Sequence, residues 1–263
     1  MQYRLIAIDV DGTLLDDQEK LRPRVRRAVR EAAAAGAEIV LCTGRGPVST
    51  LPIMAELGLS GTVITHNGAV ILESESRRIL HEAKVPRRSA VPYLEYCRER
   101  GIHFAFNTAF ELYVEKEPSR EALETYGRYW IRPIVRKEPE PPENTVRLTV
   151  YGSREEIDDA EARWSGWSGG LSVHRSDYNF IDLQHPEATK GSALERLARL
   201  RGLTRREVLA IGNYYNDISM LRYAGRSVAV ANAPAEVRAA ADEVTRSNNE
   251  DGVALVLEEL LRG

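Results

Sequence analysis

Cysteine is scarce in this 263-residue chain, which has only Cys42 and Cys97. Two distant thiols form neither a disulfide framework nor a metal-binding pair, so the stapled secreted scaffolds are excluded. Lysine is scarce as well, present only at Lys20, Lys84, Lys116, Lys137 and Lys190, and arginine supplies the rest of the positive charge. Neither sign of charge is in surplus: 36 basic residues face 39 acidic ones, a formal charge of −3. That balance argues against a nucleic-acid partner and against a charged tail. No run of about 18 apolar residues occurs, so no membrane span is expected. The opening Met1-Gln2-Tyr3-Arg4, with a short apolar run behind it, does not read as a signal peptide. Internal repeats are missing too. The expectation is a cytoplasmic protein, monomer or homodimer, with one large domain or two smaller ones.

What is present is an alternation. Leu5-Ile6-Ala7-Ile8 is an apolar run of strand length ending in Asp9-Val10-Asp11-Gly12. From Arg22 to Ala35 the apolar residues Val25, Ala28, Val29 and Ala32 recur at helical spacing, with Gly36 where a cap would end the helix. Ile39-Val40-Leu41-Cys42 reads as a second buried strand, a helical stretch runs to about Leu57, and Val63-Ile64 starts a third strand. Near the end of the chain, a helix over 192–200 precedes a capping-box turn at Thr204–Glu207 and the strand Val208–Ile211. A short helix, the strand Ser227–Val230 and a closing helix over 253–261 follow. Strands alternating with helices predict a parallel sheet covered by helices.

The middle differs. Glu111–Val114, Val146–Val150 and Phe180–Leu183 alternate as strands with one wet face do. The segment Lys137–Glu143, with three prolines, can only be a loop. The predicted fold is α/β: a Rossmann-like parallel-sheet core, residues 1–84 and 186–263, interrupted by an inserted α+β domain, residues 85–185.

The chemistry gathers where predicted strands end. Ligands of open parallel sheets sit beyond the carboxyl ends of the strands. Asp9 and Asp11, two apart, point the same way and can share one site. Their mutual repulsion is relieved by a divalent cation, and oxygen-only ligation suits Mg²⁺. A carboxylate can attack phosphorus, and a second one can protonate the leaving oxygen and then activate water. Read alone, D-x-D-G is also a turn with solvated carboxylates.

With Asp9-Val10-Asp11-Gly12-Thr13-Leu14-Leu15 after a buried strand, the sequence resembles the haloacid dehalogenase superfamily, in its Cof-type branch, over essentially the whole chain. The resemblance implies a Rossmann-like core with a mobile cap, Asp9 as nucleophile and Asp11 as general acid/base. It implies phosphate-holding roles for Thr43 in Thr43-Gly44-Arg45 and for Lys190 in the Lys190-Gly191 step after the cap. A lysine at a helix start runs against the helix dipole, which points to a charge partner there. Gly44 and Arg45 would face the substrate, as would Asn67-Gly68 and Asn216. Asn67-Gly68 is at the same time a strong hairpin signal. Asp9, Asp11, Asn213 and Asp217 would hold Mg²⁺. Here the sequence departs from the family pattern G-D-x-x-N-D, because Asn213 stands where an acid is usual, which predicts weaker metal binding.

The reading is therefore a phosphatase of a small phosphorylated metabolite such as a sugar phosphate. A sugar phosphomutase, or a phosphate-ligand-binding protein with reduced turnover, is the alternative. Dehalogenation itself needs no metal and leaves Asp11 without purpose. Hinges are expected near Lys84-Val85-Pro86 and His185-Pro186-Glu187, cap contacts at Tyr178, Asn179 and Phe180, and packing roles for Trp164 and Trp167. His103 and His174 read as structural. Asn232 and Asn249 either approach the phosphate or shape turns.

Overall fold

Leu5–Ile8 is apolar at every position and flanked by polar residues, as a strand buried on both faces must be. The computed structural model describes residues 2–128, 130–167 and 169–262, Asp177 through its backbone alone. In chain order the strands are β1 Leu5–Ile8, β2 Glu38–Cys42, β3 Thr62–Thr65, β4 Val70–Glu73, β5 Ile79–Glu82, β6 His103–Asn107 and β7 Leu112–Val114. They continue with β8 Ile134–Val135, β9 Arg147–Tyr151, β10 Ser172–Asp177, β11 Phe180–Gln184, β12 Val208–Gly212, β13 Arg226–Ala229 and β14 Glu243–Val244. The helices are α1 Pro23–Ala34, α2 Pro47–Leu57, α3 Arg87–Arg100, α4 Arg120–Arg128 and α5 Arg154–Trp164. Then come α6 Lys190–Leu200, α7 Ile218–Tyr223, α8 Ala235–Ala239 and α9 Gly252–Arg262.

Contacts divide the chain into two units. The first comprises Met1–Arg45, Thr50–His81 and Thr189–Gly263, and the second Gly46–Ser49 and Glu82–Ala188.

The first unit is built on a sheet of order β14-β13-β12-β1-β2-β3-β4-β5. From β14 to β3 every pairing is parallel, and β1 lies between β12 and β2, which are far apart in sequence. Leu5 and Ala7 join a buried cluster with Val40, Ile64, Val208 and Ala210, covered by Leu194 and Leu197 of α6 and Met220 of α7. Ile6 and Ile8 alternate to the opposite face, where α1 and α9 pack together. α1 buries Val25, Ala28, Val29 and Ala32, the stripe expected from its spacing, and Pro23 sits at its first turn, where a missing N–H is harmless. This is the parallel α/β core that the alternation of elements predicts.

One departure from pure alternation follows β3. Asn67 and Gly68 turn the chain at φ +57° and +99°, and β4 returns antiparallel to β3. The hairpin signal in Asn67-Gly68 is thus expressed, and β5 extends the sheet beyond β4.

The second unit has its own sheet, of order β10-β11-β9-β6-β7-β8. Its pairings are antiparallel apart from β7 with β8. One face carries Phe104, Phe106, Leu148, Val150, Ile181 and Leu183 against α3 and α5. Trp164 is its largest buried side chain, with edge contacts to Tyr93 and Tyr96 at centroid distances of 5.2 and 5.3 Å. Trp167 lies against the same two tyrosines, so both tryptophans pack as their positions suggested. The other face carries an apolar patch where α4 sets Ala122 and Tyr126 on Ala105, Leu112 and Val114, and Tyr151 lies against Phe180 at a centroid distance of 4.9 Å. Elsewhere it bears Asn107, Thr149 and Asp182, buried and hydrogen-bonded to one another through Thr149. His103 there bonds the Tyr126 hydroxyl at 2.9 Å, a structural role.

Candidate active site

β1, β2, β3 and β12 end side by side, and the first residues beyond them are Asp9, Thr43, His66 and Asn213. The parallel register forces this convergence, since each strand stops at the same edge. Asp9 is 5% exposed, with its N–H donated to the Ile211 carbonyl at 2.9 Å. The chain then makes a tight turn. Leu14 and Leu15 donate back five residues, to the carbonyls of Asp9 and Val10, and Gly12 stands at φ +71°.

Lys190 is the centre of charge. Its Nζ lies 2.6 Å from Asp9 Oδ1 and 2.5 Å from Asp217 Oδ1, and all three side chains are buried. Thr189 caps α6 by accepting the Ser192 N–H, which starts the helix at Lys190 and aims the side chain inward. Burial works against the ammonium, but Asp217 and Asp9 outweigh it and hold Lys190 above its ordinary pKa. Burial and the charge of Asp217 push Asp9 up to about 7, against the pull of Lys190. Two carboxylates share one ammonium, so this buried site is one positive charge short.

Asp217 has no free oxygen. Its Oδ2 accepts the N–H groups of Asn213 and Tyr214 at 2.8 and 2.9 Å, and its Oδ1 is taken by Lys190. It shapes the loop after β12 and anchors the lysine. Asp11 is paired outside this cluster but near enough for its charge to act on Asp9: its carboxylate, half exposed, is gripped by Arg45 Nε and Nη2 at 2.9 and 2.5 Å. Thr43 is buried, and its Oγ1 accepts the Arg45 N–H at 3.0 Å, leaving the hydroxyl hydrogen to offer. Asn67 Oδ1 accepts from Asn216 Nδ2 at 2.9 Å and lies 2.9 Å from where a Cβ on Gly44 would stand. Gly68 packs on the start of α6, since a Cβ there would meet the Thr189 carbonyl at 2.1 Å.

The structure thus gathers Asp9, Lys190 and Asp217 in one cluster, pairs Asp11 with Arg45, and pairs Asn67 with Asn216 beside Gly44. Of the four residues read as metal ligands, Asp9 and Asn213 keep an open oxygen. Asp9 Oδ2 has no hydrogen bond among the described residues, and Asn213 Oδ1 is buried without a partner. Among the described residues no group of three His, Cys, Asp or Glu is placed to hold a metal. Magnesium needs no such cage, because it keeps several waters and binds through one or two protein oxygens plus a substrate phosphate. The orphaned amide oxygen of Asn213 and the open oxygen of Asp9, in a site short of positive charge, fit that ion.

Comparison with known proteins gives this geometry its family. Residues 6–257 match the haloacid dehalogenase-like hydrolase family. The chain belongs to the haloacid dehalogenase-like hydrolases. Among curated relatives of this hydrolase, phosphatase YwpJ of Bacillus subtilis (strain 168) is 30% identical over 287 residues, covering 98% of this chain and all of the relative (100%). A haloacid dehalogenase-like hydrolase from Bacteroides thetaiotaomicron superposes with a TM-score of 0.88 at 28% identity, over 98% of this chain and 99% of the other. The subclass IIB sugar phosphatase BT4131 shares the fold, with a TM-score of 0.82 at 24% identity over 98% of each chain. This haloacid dehalogenase-like protein is an enzyme of the phosphatase kind. Among its described residues no helix is long and apolar enough to cross a membrane.

Proposed function

We propose that the protein is a Mg²⁺-dependent phosphatase that hydrolyses a small phosphorylated metabolite, a sugar phosphate or similar, through an aspartyl-phosphate on Asp9. One observation carries this reading: a buried carboxylate at a strand end, one oxygen held by a buried lysine and the other open.

Asp9 Oδ2 attacks phosphorus, and the bond to the ester oxygen breaks. Asp11 gives that oxygen a proton, and the alcohol leaves. Asp11 then takes a proton from water, which attacks phosphorus and frees phosphate and Asp9. Lys190 holds Asp9 in place and offsets the growing charge, and the Thr43 hydroxyl donates to a phosphoryl oxygen. Asn213 Oδ1 would hold magnesium, with Asp9 Oδ2 left to attack, and the ion would spread the charge of the phosphoryl oxygens. Asn67 and Asn216 would meet the rest of the substrate, which their mutual hydrogen bond beside Gly44 supports. Arg45 must share its guanidinium between Asp11 and an arriving anion.

The test is phosphate release from a panel of phosphorylated metabolites with Mg²⁺ or with EDTA. Release is expected with Mg²⁺ and lost in Asp9→Asn. Asn213→Asp adds the missing charge beside Asp9 and is expected to lower the Mg²⁺ needed for half-maximal rate about tenfold. No release from any substrate, even with Asn213→Asp, would sink the phosphatase reading and favour ligand binding without turnover.

A further inference from the structure

Asn232, Asn248 and Asn249 belong to turns after the last strands, and the reaction above does not use them. In the structure they converge on one segment, the turn that carries Asp11. Asn232 Nδ2 donates to the Gly12 carbonyl at 2.8 Å, and its Oδ1 accepts the Asn248 N–H at 3.1 Å. Asn248, buried, donates from Nδ2 to the Leu15 carbonyl at 3.1 Å and to Asp17 Oδ1 at 2.9 Å. Asn249 grips Asp17 twice, donating to its Oδ2 at 2.7 Å and accepting its N–H at 3.1 Å.

The segment that offers these side chains is itself stiff. Ser247 and Glu250 form a capping box around the short turn at 248–250, and Thr245 Oγ1 donates to the Gly252 carbonyl at 3.1 Å. A Cβ on Gly252 would meet the Arg246 carbonyl at 2.0 Å, so no other residue fits there. The turn it holds has few bonds of its own, and its Gly12 is conformationally permissive. Gly12 is also pressed from a second side, since a Cβ there would stand 2.4 Å from Asn213 Nδ2. An amide both donates and accepts, so these three side chains can link carbonyls, N–H groups and a carboxylate in one network. The linked carbonyl belongs to the residue directly after Asp11.

We propose that Asn232, Asn248 and Asn249, acting with Asp17, are positioning residues that fix the turn 10–17 and thereby place Asp11 for proton transfer. This rests on the phosphatase reading, which gives Asp11 that task. Arg45 holds the head group of Asp11, and the three asparagines hold its backbone. Loosening the turn then weakens protonation of the leaving oxygen more than attack by Asp9.

Leaving-group dependence exposes that difference. An alkyl phosphate needs its leaving oxygen protonated, whereas p-nitrophenyl phosphate does not, and kcat/KM reports the first half-reaction alone. Asn232→Asp keeps the acceptor and removes the donor to Gly12. It should lower kcat/KM for an alkyl phosphate about tenfold and leave p-nitrophenyl phosphate within about twofold. Asn249→Asp sets two carboxylates against each other and should do the same. Adding Asp17→Asn restores the donor–acceptor match with roles exchanged and should return the alkyl rate to within about twofold of the parent. Equal losses on both substrates, no loss on either, or failure of the exchange to rescue would overturn the proposal. The alkyl phosphate is one that the metabolite panel shows to be hydrolysed, and a parent enzyme inactive on the whole panel would instead overturn the phosphatase reading. Thermal melts of each variant separate a loose turn from an unfolded chain.

Discussion

Asp9 and Asp182 are equally buried, each 5% exposed, one in each unit. Asp182 sits within β11 and is matched locally: Thr149 donates to its Oδ1 at 2.8 Å, and Arg147 lies 3.6 Å away. Asp9 sits one residue past β1 and competes with Asp217 for a single ammonium. The inserted sheet thus gives its buried carboxylate a cation of its own, whereas the parallel sheet buries two carboxylates on one ammonium. Balance is what a packed face needs. Imbalance marks the place where a charged ligand completes the site.

Removing Lys190 should break this contrast most sharply. Lys190→Met leaves Asp9 and Asp217 buried without a counter-charge. A loss of about 3–5 kcal/mol in unfolding free energy is expected, together with a fall of roughly 10²–10³ in kcat/KM. Urea unfolding and phosphate release measure the two effects. A stable, active Lys190→Met would mean the ammonium is neither structural nor catalytic.

The second unit should respond to packing rather than to charge. Trp164→Ala empties the centre of its aromatic cluster and is expected to cost about 3–5 kcal/mol. Amide exchange should rise in β9 and β11 and stay unchanged in β1 and β12. Trp164→Phe should cost far less than the alanine variant, because the indole N–H has no partner among the described residues. Thr149→Val is milder still. It strips one donor from Asp182 and one acceptor from Asn107, an expected cost of about 1–3 kcal/mol read from urea midpoints.

The smallest effect is a pH dependence. Burial lowers the pKa of His103 below its ordinary value. The unfolded chain then binds the proton more readily than the folded one, so stability is full above about pH 6.5 and declines as pH falls below it. His103→Gln should flatten that decline in the second unit's amide exchange. A decline that persists in the variant would place its cause elsewhere.

The sequence showed β1, β2, β3 and β12 because each is a short apolar run with a polar residue just beyond it. Lys190 stood out because a cation at a helix start opposes the dipole. The partners of the other groups were not readable. Arg45 and Asp11 are 34 residues apart, and nothing local says that one will clamp the other. Asp217 looked like a metal ligand, and Tyr214-Tyr215-Asn216-Asp217 lacks the Ser/Thr-x-x-Glu/Gln pattern that would have foretold its bonds to the loop backbone. Asn232 and Asn249 read as phosphate contacts or turn residues, and Asn248 drew no role, because a side chain that crosses to another loop leaves no trace in periodicity. The short strands β8 and β14 went unseen, since two residues carry no pattern.

The topology also has a consequence for synthesis. β1 lies between β2 and β12, so one of its edges stays unpaired until the ribosome has passed Gly212. At about 5–20 residues per second that exposure lasts roughly 10–40 s. The strands of the inserted sheet, β6 to β11, all emerge within that interval. The nascent chain can thus finish its later-made sheet while its first strand still waits for a neighbour, and that open apolar edge is where a chaperone would be needed.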